Sequence, residues 1–96
     1  MKYIIVKWQH QNPGEPTLLY SELDDAGWEI RKVEVFADGR VGYADRSGTN
    51  GGTRLSIEPL PSLIEIATDP QFEPREIAKD EFEKVWTGRA GSQQRH

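Results

Sequence analysis

The chain has no cysteine. Disulfide staples, thiolate nucleophiles and zinc–thiolate sites are therefore excluded. Secreted domains of this size commonly use disulfides, so a reducing cytoplasm is the expected location. Histidine is scarce too: only His10 and His96 occur, and His96 is the last residue of the sequence. No HxxH or HExxH pattern and no His–carboxylate cluster appears, so neither a metal site nor a cofactor is expected. Long apolar runs are also missing. The opening MKYIIVKW is broken by Lys2 and Lys7 and is too short for a signal peptide. Nothing approaches the roughly 18 residues that a membrane span needs. A strong charge imbalance is absent as well. Twelve basic residues against sixteen acidic ones leave a formal charge of -4, which disfavours nonspecific contact with nucleic acid or anionic lipid. A basic protein partner fits this charge better.

What is present is a polar but foldable chain. Its 96 residues are 29% charged and 35% hydrophobic, enough for one core and too few for two. One domain over residues 1–88 is expected, followed by a flexible polar tail over 89–96 that lacks periodicity.

Residues 2–10 read as a strand with apolar residues on both sides: Ile4, Val6 and Trp8 alternate with Tyr3 and Ile5. That pattern predicts a central strand covered on both faces. Pro13-Gly14 and Asp24 to Gly27 mark turns around a second strand at 17–23. Residues 45–52 are polar and glycine-rich, a loop, and 53–57 resume as a short strand. Ser62-Leu63-Ile64-Glu65 matches a capping box and predicts a helical turn to about Thr68. A brief edge strand is expected at 75–77. Asp80-Glu81-Phe82-Glu83 is a second capping-box match. It precedes a helix with Phe82, Val85 and Trp86 on one face, stopped at Gly88.

Between these lies the stretch GWEIRKVEVFADGRVGYA, residues 27–44. Its Asp38-Gly39 pair predicts a hairpin with a two-residue type I′ loop. That register puts Val33, Val35, Gly42 and Ala44 on a small apolar face suited to the C-terminal helix. Lys32, Glu34, Phe36, Val41 and Tyr43 then share the opposite face. Either the segment from Ile57 to Phe72 covers this mixed face, or part of it stays open for contact. Trp28 and Ile30 join one face or the other, depending on whether a bulge interrupts the strand near Arg31-Lys32.

No catalytic constellation emerges. His10 reads as a structural or surface residue and Asp24-Asp25 as a turn pair. Gly48 to Thr53 lacks the lysine and the following helix of a phosphate loop. The candidate binding residues are Trp28, Arg31, Lys32, Glu34, Arg40, Tyr43 and Arg46, the aromatic and charged positions of the hairpin region.

The fragments VKWQH, LLYSELDDAGWEIRKVEVFADGRVGYA, GGTRLSIEPLP and IATDPQFEPREIAKDEFEKVW together resemble a family of small bacterial single-domain proteins of unknown function. The resemblance runs from residue 1 to about 87 and implies no activity. The expected fold is α+β, an antiparallel sheet of four or five strands with one C-terminal helix packed on it. The expected function is that of a small non-enzymatic binding protein of the bacterial cytoplasm, of immunity, inhibitor or adaptor type, whose partner is another protein. The alternative is a small-ligand or nucleic-acid binding regulatory module.

Overall fold

Apolar alternation on both sides of the first strand demands two covered faces, and the fold supplies them. The computed structural model describes residues 1–89. It contains strands β1 (Lys2–Trp8), β2 (Leu18–Leu23), β3 (Glu29–Val35), β4 (Val41–Asp45) and β5 (Gly48–Asn50). A short helix α1 (Leu63–Ala67), strand β6 (Phe72–Ile77) and helix α2 (Lys79–Gly88) follow. The strands form one sheet in the order β5-β4-β3-β2-β1-β6, every pairing antiparallel. The expected α+β class holds, with six strands rather than four or five and two helices rather than one. Beyond Arg89, the tail expected at 89–96 lies outside the described residues.

The sheet separates two hydrophobic clusters. On one face Tyr3, Ile5, Ile77 and Phe82 are buried, with Leu18, Tyr20 and Trp86 packed against them. Helix α2 covers this side and sets the Phe82 ring 5.5 Å from that of Tyr3. On the other face Ile4, Val6 and Leu23 are buried beneath Leu60, Leu63, Ile66 and Phe72. The segment from Ile57 to Phe72 therefore packs over the β1 and β2 part of the sheet, rather than over the hairpin face it was expected to cover; residues 53–56 contact β3 instead.

The hairpin register differs from the expected one. Phe36 N–H donates to Arg40 O at 2.9 Å and Gly39 N–H donates to Phe36 O at 3.0 Å. The loop thus holds three residues, Ala37 to Gly39. Gly39 has φ +91°, whereas no described non-glycine residue has positive φ. A type I′ loop would require positive φ at Asp38 as well; the observed loop is a tight turn followed by one left-handed glycine. The extra loop residue slides the register by one. Val35 faces Val41, Glu34 faces Gly42, Val33 faces Tyr43 and Lys32 faces Ala44. Because side chains alternate, this slip exchanges the two faces of β4. Tyr43 and Val41 join Val33 and Val35 on the α2 side, while Gly42 and Ala44 join Lys32 and Glu34 on the other.

Further local corrections follow from competing partners. The strand expected at 53–57 is absent, and pairing with β4 falls to Gly48–Asn50 instead. Residues 53–56 form a strap across the sheet. Thr53 is 1% exposed and lies so close to β4 that a Cβ on Gly42 would meet its Oγ1 at 2.1 Å. The edge strand expected at 75–77 extends over Phe72–Ile77 and pairs with β1. The capping box at Ser62 and Glu65 forms as expected. The one at Asp80 and Glu83 does not: α2 begins earlier, after Ala78, which makes no side-chain cap. Glu83 is engaged by Arg31 instead.

Candidate functional site

A single irregularity in β3 sets up the floor of the site. Glu22 pairs with Arg31, yet the next residue Leu23 pairs with Glu29, so Ile30 is left without an opposite residue. This bulge lies just before the Arg31-Lys32 position considered from sequence. It turns Glu29 to the face shared by Leu23 and Lys32, because directly paired residues share a face. The Glu29 side chain is only 1% exposed. Its carboxylate accepts from Ser21 Oγ at 2.7 Å and from the Ser56 backbone N–H at 2.6 Å. Lys32 Nζ stands 3.8 Å from Glu29 and 3.6 Å from Glu34, and donates weakly to Arg54 O at 3.4 Å. Glu34 in turn accepts from Thr53 Oγ1 at 2.7 Å. The polar strap and the β3 charges therefore hold each other over the β3–β4 half of the sheet. A buried polar group without such a partner would cost roughly 1–3 kcal/mol.

Between that strap and α1 lies a surface groove of about 310 Å³. Its walls are Val6, Leu19, Leu60, Ile66 and Phe72. Ser21, Glu29 and Lys32 line its polar end, and Glu65 and Asp69 stand on the α1 side. An apolar cleft with a few converging polar groups is the usual form of a binding site. The other depressions offer less. One of about 530 Å³ lies at the hairpin tip, where Arg40 is already paired with Asp38 at 2.8 Å and stacked 4.6 Å from the Phe36 ring. One of about 360 Å³ lies between Met1, Asp24, Asp25 and the start of α1.

The seven residues singled out from sequence do not form one surface. Lys32 and Glu34 meet beside the groove. Arg31 lies on the opposite face beneath α2, with its Nε 2.6 Å from Glu22 and an Nη 2.7 Å from Glu83. Its guanidinium sits 4.9 Å from the Phe82 ring centre and 5.0 Å from that of Trp86. Tyr43 is on that face too, edge-on to Trp86 at 6.0 Å. Arg40 is at the hairpin tip, and Arg46, exposed in the turn after β4, lines a depression together with Arg31. Trp28 is 42% exposed beside the Asp24 turn.

Electrostatics separate the two faces further. The Arg31 hydrogen bonds hold the Glu22 carboxyl below the usual carboxylate range, and do the same for Glu83. Burial pushes the Tyr3 hydroxyl up, helped by its hydrogen bond to Glu22. Every side-chain nitrogen of Arg31 donates to Glu22 or Glu83. The groove-side residues Leu19, Leu60, Ile66 and Phe72 gave no such warning in the sequence, because the groove is a gap between distant segments. Only the apolar run around Leu60 to Ile66 hinted at it.

The remaining candidate groups make local contacts. His10 Nε2 lies 2.7 Å from Pro16 O, and its Nδ1 accepts from the Asn12 N–H at 3.0 Å. Its ring packs edge-on against Trp8 at 4.5 Å. Asp24 accepts from the N–H groups of Ala26 and Trp28, which is the turn role expected of it. Among the described residues no group of three His, Asp or Glu is placed to hold a metal ion. No helix among them is long and apolar enough to cross a membrane. His96 lies outside the described residues.

Comparison with curated proteins and with solved structures finds no match. Comparison with protein families matches residues 2–91, nearly the whole chain, and the chain belongs to the family described as a domain of unknown function, DUF6881.

Proposed function

We propose that this protein is a small non-enzymatic binding module, and that the groove between α1 and the sheet receives part of a protein partner. The observation that carries this reading is the placement of exposed apolar side chains. Four large ones stand out among the described residues: Met1, Trp28, Ile57 and Ile64. Ile57 is 89% exposed and Ile64 81% exposed, and both belong to the connecting segment that carries the groove wall. Trp28 adjoins it, since the Gly27 carbonyl accepts from Leu60 N–H at 2.9 Å. Met1 lines the neighbouring depression. Scattered exposed apolar residues need no explanation, but ones on the segment that walls a groove and on the turn bonded to that segment fit a contact surface. Engagement of both His10 nitrogens in local contacts supports a non-enzymatic role. An immunity, inhibitor or adaptor role needs no chemistry beyond such a surface.

Site-specific photo-crosslinking in the native host tests this. A crosslinker at Ile64 should give one discrete protein adduct, and one at Lys84, exposed on α2, should not. Adducts at Lys84 alone, or none at Ile64, would count against the reading.

A further inference from the structure

The groove carries a bias of charge that narrows its occupant. Its lining includes three carboxylates, Glu29, Glu65 and Asp69, against one ammonium, Lys32. That ammonium is already matched, standing between Glu29 at 3.8 Å and Glu34 at 3.6 Å. Glu65 uses Oε1 for the Ser62 capping box, and Asp69 uses Oδ1 for the Gln71 N–H. Among the described residues neither takes part in an ion pair. The walls are apolar, and the volume of about 310 Å³ equals about ten water molecules' share of liquid volume. That is ample room for one large apolar side chain.

We infer that the occupant is a segment of the protein partner with an apolar anchor residue flanked by lysine or arginine. The anchor lies between Leu19, Leu60, Ile66 and Phe72, and the cationic flank lies over Glu65 and Asp69. This rests on the protein-binding reading above. An acidic flank would meet the rim carboxylates and be repelled, and complementary rim charge governs encounter rate and partner choice. A small hydrophobic amine shares part of this chemistry. Two separate rim carboxylates, Glu65 and Asp69, outnumber the single ammonium of such a molecule and so favour a segment with more than one cationic residue.

The test is fluorescence anisotropy with labelled peptides of one length. One carries a Leu or Phe anchor with Lys/Arg flanks, the second the same anchor with Glu flanks, and the third the basic flanks without the anchor. The anchored basic peptide should bind at least tenfold more tightly than either control. Raising the salt should weaken it. In the double variant E65K/D69K its affinity should fall about tenfold and that of the anchored acidic peptide should rise. Glu65 is exposed and Asp69 half-buried, and because Glu65→Lys also opens the Ser62 capping box, circular dichroism checks that the variant folds. Equal binding of the anchored basic and acidic peptides overturns the inference. So does binding of dodecylamine in the groove with no peptide binding up to millimolar concentration, and so does binding by neither probe. A discrete adduct from Ile64 with any of these results leaves the binding-module reading standing; loss of that adduct removes both.

Discussion

The two faces of the sheet are built from the same strands and end in opposite conditions. Under α2 the face is closed. Phe82 is fully buried, aromatic rings meet ring to ring, and Arg31 spends its donors on Glu22 and Glu83. On the other side irregular chain and a five-residue helix do the covering, and a groove remains between them. A regular helix can match a sheet face along its length. A strap tied down at Thr53, Ser56 and Leu60 cannot, and it leaves gaps. The closed face is packed by α2 and the gapped face leaves a groove.

Substitutions should divide along this line. The largest effect is expected at Phe82→Ala, which empties the closed face and should cost about 3–5 kcal/mol, read by urea denaturation. Arg31→Ala should follow at about 3 kcal/mol, because it leaves the Glu22 carboxylate beneath α2 without its cation. Glu83→Ala should cost less than about 1 kcal/mol, since that end of the network is 37% exposed and screened by solvent.

On the gapped face the strap is the sensitive point. Gly42→Ala should cost about 1–3 kcal/mol, because the new Cβ falls on Thr53 Oγ1. Adding Thr53→Ala should recover part of that loss, a coupling that a double-mutant cycle measures directly.

Acid sharpens the contrast. Glu22 and Glu83 titrate below their ordinary value of 4.5 in the folded state. Their contribution is therefore present above that value and is lost as pH falls through the folded pKa values. Urea stability should decline below about pH 4.5 in the wild type, and less steeply in Glu22→Gln. On stability Ile66→Ala should cost only about 1 kcal/mol, as a half-buried groove wall, while peptide binding in the groove should suffer clearly.

The sequence made some of this readable and hid the rest for identifiable reasons. Alternation in Tyr3 to Trp8 announced a strand covered on both faces, and β1 is one. The Ser62–Glu65 capping box was readable because no distant group competes for Glu65. The Asp80–Glu83 match failed because Glu83 serves Arg31, which is remote in sequence. The Asp38-Gly39 turn was located correctly, but such a pair also ends a three-residue loop. That one-residue ambiguity moved Tyr43 to the α2 side and divided the candidate binding residues between faces. The bulge at Ile30, which buries Glu29 beside the groove, has no local signature, since it is set by how β2 and β3 meet.

Chemical-shift mapping by ¹⁵N NMR, with the anchored basic peptide as probe, tests the division of labour most directly. The account predicts that shifts concentrate at Leu19, Ser21, Lys32, Ile66 and Phe72, with α2 unmoved. Shifts concentrated instead at Arg31, Tyr43 and the Lys79–Gly88 helix would contradict it.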